Sequence, residues 1–340
     1  SGWQIRATLR PTDMWQNVAN IPLVIQSPIQ VEGTLSGFEG RTSLSVDTDS
    51  LTVGNQFFGR TSIYLSGHHD GLTGLVKTQK SFGGHIFNWA LRLQAANDTL
   101  HSLLSWQAQQ QPQSYNGTFR ASTQFSRQTN GHLTWQTDIH PTHFLLSDTI
   151  WNIASGHLSI GDGALSFQGV SLSHHPQSLT VDGRLMQGSR DSIVAHLHEM
   201  DVDYILNLID FDAVEFGGRA TGQAIFNKSG GETQLHANLH IPEFRFNKGL
   251  MGDAQIKGNW NPTENRINLE ADMKLPGGQG YGTKVNGFVS LAEKGLDLHM
   301  QTNHTRLAFL RRYTDGIFSH LDGDATGNLR LFGPFKKLDF

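Results

Sequence analysis

The sequence predicts an all-β chain built on curved antiparallel sheet. Three observations carry this: apolar and polar residues alternate with period two along most of the chain, turn-forming residues recur at short intervals, and glycines interrupt the alternation where a sheet has to bend. The alternation is clearest at Leu44, Val46, Leu51 and Val53; at Leu133, Trp135 and Ile139; at Leu165 and Phe167; at Leu235, Ala237, Leu239 and Ile241; and at Ile267, Leu269, Ala271, Met273 and Leu275. Strands of this pattern bury one face and wet the other. Asp162-Gly163, Asp182-Gly183, Ser229-Gly230-Gly231 and Pro276-Gly277-Gly278 read as the turns of a meander. At Gly169 and Gly287 the apolar register shifts, from Leu165 and Phe167 to Val170 and Leu172 in the first case, which marks a bulge.

Short helices punctuate the strands. Asp13 is placed to cap Met14 to Asn20, and Asn97 or Asp98 to cap a segment with Leu100, Leu103 and Leu104 on one helical face that runs out at Gln107 to Gln111. Val202 to Ile209 and Leu307 to Tyr313 are two further helix-like runs. Each is followed by nearly the same words, Gly218-Arg219-Ala220-Thr221-Gly222 and Gly323-Asp324-Ala325-Thr326-Gly327, and then by a strand. Together with Gly33-Thr34-Leu35-Ser36-Gly37 and Gly117-Thr118-Phe119 they make four loosely similar modules, the last two closely matched, which is the pattern of a repeat architecture. The Gln-rich stretch before Pro112 is the best internal boundary, dividing 1–111 from 112–340. Because the pattern is already under way at Ser1 and unfinished at Phe340, the chain reads as a piece of something longer.

Composition narrows the function classes. Charged residues make up 16% of the chain, against about 25% in ordinary globular domains, so neutral polar groups dominate its surface. With 26 basic and 30 acidic residues the net charge is −4, and no basic run offers a footprint for nucleic acid. The absence of cysteine removes disulfides, thiolate-bound zinc and thiol nucleophiles. No stretch reaches the apolar length of a membrane-spanning helix.

Catalytic signatures are missing. There is no nucleophile elbow, Walker loop or dinucleotide fingerprint; Gly277, Gly278, Gly280 and Gly282 lie between strands, with no helix to hold a pyrophosphate, and read as a flexible turn. The 17 histidines, densest at His68-His69-Asp70, His174-His175 and His196-x-His198, fall at polar strand positions and read as solvated side chains rather than metal ligands. Asp201 with Asp203, and Asp210 with Asp212, read as cap and turn chemistry rather than as a glycosidase pair. Sequons at Asn97, Asn116, Asn227 and Asn303 mark surface turns. The expectation is a protein that is not an enzyme and uses no cofactor or metal.

Three segments resemble the TamB family of translocation and assembly module proteins and, more broadly, AsmA-like envelope proteins: Trp151-Asn152-Ile153 through Leu179-Thr180-Val181-Asp182-Gly183-Arg184-Leu185, Tyr204 to Phe226, and Asp324 to Phe335. The resemblance implies an elongated, curved antiparallel sheet whose concave face is a hydrophobic groove. It also implies a periplasmic location in a Gram-negative bacterium, with the full-length protein anchored in the inner membrane, an outer-membrane partner of the Omp85 type (TamA-like), and a role in phospholipid movement between the membranes or in outer-membrane protein assembly. Phospholipid or another acyl-chain ligand is then the expected partner. Candidate lining residues are Leu133, Trp135, Leu165, Phe167, Leu179, Val181, Leu235, Leu239, Ile256, Trp260, Ile267, Leu269, Leu296 and Leu298. Patterning alone leaves the dry core of a β-sandwich standing beside an open face. Two other functions stay open as well: a scaffold that captures outer-membrane strands by β-augmentation, and a carbohydrate-binding or adhesin fragment using its Trp, His and Asn residues.

Overall fold

The computed structural model describes residues 2–11, 23–36, 40–54, 56–82, 84–129, 131–186, 188–203, 215–229, 232–247, 249–275, 281–310, 323–335 and 337–339. These residues are almost all strand, in antiparallel pairing, and the chain divides into two compact units, Ser1–Asp162 and Gly163–Phe340.

The first unit contains β1 (Gly2–Leu9), β2 (Leu23–Ile25), β3 (Ile29–Ser36), β4 (Arg41–Thr48), β5 (Leu51–Val53), β6 (Gln56–Phe58), β7 (Thr61–His68), β8 (Gly71–Phe82), β9 (His85–Ala96), β10 (Thr99–Ala108), β11 (Tyr115–Arg127), β12 (Leu133–His140), β13 (Thr142–Leu146), β14 (Thr149–Ile153) and β15 (Gly156–Gly161). Its sheet runs as a meander in the order β1-β3-β4-β7-β8-β9-β10-β11, while β2, β5 and β6 form a separate three-stranded sheet. At β11 the meander forks: Arg120–Arg127 pairs with β12 and Tyr115–Gly117 with β13. Pro141 separates those two strands, since it has no N–H to continue a ladder.

The segment expected to be a helix after Asn97 is β10. Asn97 (φ 49°) and Asp98 (φ 60°) both have positive φ, the backbone of a two-residue type I′ hairpin turn, and the residue types that suggest an N-cap are the same ones that favour this turn. Leu100 and Leu104 face one side of the strand and Leu103 the other. The sequence boundary at 111/112 falls in the turn between β10 and β11, inside the first unit.

The second unit contains β16 (Ala164–His174), β17 (Gln177–Met186), β18 (Ser192–Asp201), β19 (Phe216–Gly217), β20 (Arg219–Ser229), β21 (Glu232–Phe246), β22 (Gly249–Asn261), β23 (Arg266–Lys274), β24 (Gly282–Ser290), β25 (Gly295–Arg306), a 3-10 turn at Leu307–Leu310 and β26 (Asp324–Pro334). Each strand pairs with the next, except that β19 joins β21 and β18 bonds directly to β20. Bulges lie at Phe167/Val170, Leu197/Met200, Ile241/Phe244 and Thr302/Thr305.

Asp182-Gly183 is not a turn but the middle of β17, opposite the first bulge. The Asp182 carboxylate accepts the Gly169 N–H (2.6 Å), so the aspartate caps the donor that the bulge leaves unpaired. Pairing through Gly287 runs without the expected shift; a Cβ there would sit 2.0 Å from the Asp297 carbonyl oxygen, so this glycine serves close strand approach.

The repeated words have a structural meaning. In the first copy the Thr221 hydroxyl accepts the N–H of Glu199, the positive-φ residue of the Leu197/Met200 bulge (3.0 Å), and the Val202 N–H bonds to the Gly218 carbonyl (3.0 Å). The second copy repeats this: Thr326 accepts the His304 N–H (3.0 Å), and the Leu307 N–H bonds to the Gly323 carbonyl (2.9 Å). The motif is therefore a bulge clamp on the preceding strand, coupled to a helical start at Val202-Asp203 in one copy and at Leu307 in the other. The Asp13-capped segment, Gly230-Gly231, 276–280, Asp210, Asp212 and the remainders of both helix-like runs lie outside the described residues.

Candidate functional site

In antiparallel pairs, directly opposed residues share a face, so the register can be followed across a unit. Two rows of directly opposed residues cross the second unit from β16 to β26. One is Leu172, Leu179, Leu197, Gly222, Leu239, Ile256, Ala271, Val285, Met300 and Leu329; its neighbour is Val170, Val181, Ala195, Ala224, Ala237, Gly258, Leu269, Gly287, Leu298 and Leu331. Every member is apolar or glycine. The bulge at Phe167/Val170 preserves this, because the extra residue returns Val170 to the face that Phe167 and Leu165 already occupy.

All twelve candidate residues of this unit lie on that one face. Leu239, Ile256, Leu269, Leu296 and Leu298 line an apolar cavity of about 230 Å³, whose walls hold no polar residue type. Leu165, Phe167, Leu179, Val181, Leu235, Trp260 and Ile267 are half-buried on the same face but outside the cavity wall. The cavity is larger than an engineered apolar void of about 150 Å³ that stays dry and takes up benzene.

One side of the cavity is closed by phenylalanines. The Phe216 ring stacks on Phe246 (5.2 Å) and on Phe244 (5.7 Å), Phe246 meets Phe309 of the 3-10 turn (5.5 Å), and Phe335 is also fully buried. The sequence candidates omit these rings and the wall residues Met251, Met273 and Met300. The alternation Phe244-Arg245-Phe246 was the available signal.

In the first unit, directly opposed residues Ala7, Val31, Val46, Ile63, Val76, Leu91, Leu104 and Phe119 form a comparable row from β1 to β11. Aromatic rings gather at one margin, with Trp89 stacked on Trp106 (5.5 Å) and Trp106 against Phe144 (5.6 Å). The candidates Leu133 and Trp135 are on this face but 50% and 43% exposed, and Trp135 packs edge-on to Phe125 (6.0 Å). Trp3 and Ile5, at the far end, are exposed too.

Most strand histidines among the described residues lie on the opposite, polar face; His85, packed against Phe87 and Tyr115, and His174 fall on the apolar one. On the polar face histidines bond across strands: His157 to Asp138 (2.9 Å), His240 to Asp253 (2.8 Å) and His236 to Asn259 (2.7 Å). His196 and His198 project from one side of β18, opposite Thr180 and Ser178. Among the described residues no three His, Cys, Asp or Glu side chains gather as metal ligands would. Asp203 is held above the usual carboxylate range, first by partial burial and then by the charges of Asp201 and Glu215. Comparison with protein-family models, with curated proteins and with solved structures finds no match.

Proposed function

We propose that this chain is a non-catalytic carrier segment that holds acyl chains against the apolar face of its sheets, as a periplasmic part of a membrane-anchored envelope protein that moves phospholipid between membranes. What supports the reading is the pair of unbroken apolar rows that crosses the second unit, with a cavity walled only by apolar side chains. Burying a methylene is worth about 0.8 kcal/mol and requires no directional partner, so such a surface holds a hydrocarbon chain without fixing its register. Grip and sliding are then compatible. The polar headgroup stays where water reaches it. The periplasmic location and the Omp85-type partner rest on the family resemblance described above.

The experiment uses a fluorescent fatty-acyl probe. Leu269→Asp, which places a carboxylate in the cavity wall, and Leu165→Asp, on the half-buried part of the face, are each expected to weaken probe binding at least about tenfold, since an unpaired buried charge costs several kcal/mol. Circular dichroism reports whether each variant still folds, and Leu165→Asp keeps the test available if Leu269→Asp does not. A folded variant that binds the probe as the parent does would overturn the proposal.

A further inference from the structure

The polar face of the first unit carries a different feature. Directly opposed residues Tyr64, Leu75, Arg92, Leu103, Arg120 and His140 run across β7 to β12 and line a cleft of about 530 Å³. Its volume is within the roughly 300–1,000 Å³ of small-molecule sites. Adjacent strands lie about 4.8 Å apart, so the Cα atoms of Arg92 and Arg120 are about 10 Å apart with Leu103 between them, close enough for both guanidinium groups to reach one anion.

Neither arginine has an ion-pair partner among the described residues. Along β7 to β12 this face also presents Lys77, His68, His101 and His140, against one carboxylate, Asp138, which His157 already engages (2.9 Å). In a chain of net charge −4 that is a local excess of cations. The two guanidinium groups, on strands either side of β10, repel each other, and an anion between them removes that repulsion.

The third observation is a hydroxyl between two imidazoles. Ser122 Oγ lies 2.9 Å from His101 Nδ1 and 2.8 Å from His140 Nε2. The hydroxyl has one proton to give, so at least one imidazole nitrogen must donate to it, and that N–H and the O–H can turn to new acceptors. Two guanidiniums, a hydroxyl and two imidazoles around one cleft match the oxygens of a phosphate, and Tyr64, Leu75 and Leu103 offer apolar surface to whatever the phosphate esterifies.

We propose that this cleft binds a phosphomonoester, on the face opposite the acyl-binding surface and independently of it. The test is calorimetric titration of the whole chain at low salt with inorganic phosphate, glycerol phosphate and vesicles containing phosphatidate. Expected is one saturable site for at least one of the three. Arg92→Ala or Arg120→Ala is expected to weaken it about tenfold, and Arg92→Lys, which keeps the charge but not the fork, severalfold. Lys77→Ala, on the same face outside the cleft, is expected to leave it unchanged. Uptake of glycerol phosphate without vesicle binding identifies a free ester, and the converse a lipid headgroup. Absence of saturable binding to all three probes, or equal losses for Arg92→Ala and Lys77→Ala, overturns the proposal.

Discussion

The two units carry the same apolar stripe and treat it differently. In the second, Ile241, Ala254, Met273, Val285, Leu298, Met300 and Leu331 are buried beneath Phe244, Phe246, Phe309 and Phe335. The first unit leaves both ends of its stripe in water: Trp3, Ile5 and Leu35 near one end and Leu133, Trp135 and Ile160 near the other are exposed, while the row between them is only half-buried. A period-two pattern therefore specifies which face is apolar, not whether that face is covered. Coverage in the second unit comes from residues outside the stripe, a turn and two strand ends that bring aromatic rings over it.

The strongest way to break this contrast is to remove a covering ring. Phe246→Ala should cost about 3–5 kcal/mol in chemical denaturation, because a large ring leaves a void in a packed cluster. Leu35→Ala, on the exposed stripe of the first unit, should change stability by less than about 0.5 kcal/mol. Equal losses would mean that the first stripe is covered after all.

A finer comparison lies inside the second unit, between the two copies of the bulge clamp. Gly222 sits in β20 with β21 alongside, and a Cβ there would come 2.1 Å from the Asn238 carbonyl oxygen, whereas at Gly327 of β26 nothing lies within 4 Å. Gly222→Ala should thus cost about 1–3 kcal/mol by forcing the strands apart, and Gly327→Ala little. The readout is the denaturation midpoint, and the reverse order would refute the assignment of the two glycines.

The smallest effect concerns the polar face. Arg330 donates to Asp297 through Nε (2.9 Å) and Nη2 (2.7 Å), and this hydrogen-bonded pairing holds the Asp297 carboxyl below its usual 3.8. A carboxylate with a lowered folded-state pKa stabilises above its unfolded value, and the contribution is lost as pH falls through the folded one. Below pH 3.8, Asp297→Asn should therefore lose less melting temperature than the parent does. The pair is exposed, so the difference will be slight.

Much of this was legible in the sequence. Alternation located the strands, and twelve lining candidates fell on one face because side-chain period is a local property. The segment after Asn97 was misread because Asn-Asp serves both as a helix cap and as a type I′ turn, and only the neighbouring strands decide between them. Asp182-Gly183 reads as a turn for a related reason: the bulge on β16 needs the Asp182 acceptor, and the close approach of the Ser192 carbonyl on β18 needs a glycine at 183, and both are also turn residues. The alternation Phe244-Arg245-Phe246 signals part of the cover over the second stripe, but the part that Phe309 and Phe335 supply was not legible, since they reach it from a turn and a strand end, where no periodicity points inward. The Arg92–Arg120 cleft was hidden because its members come one from each of six successive strands, and only the pairing register brings them into line.

The central claim is that hydrocarbon lies against the apolar face and not the polar one. Neighbouring residues Leu269 and Glu270 of β23 point to opposite faces, so a photoreactive side chain placed at each, in protein incubated with phospholipid vesicles, reports the two faces separately by mass spectrometry. The account predicts acyl-chain adducts at 269 and none at 270; equal labelling at both positions, or none at either, would contradict it.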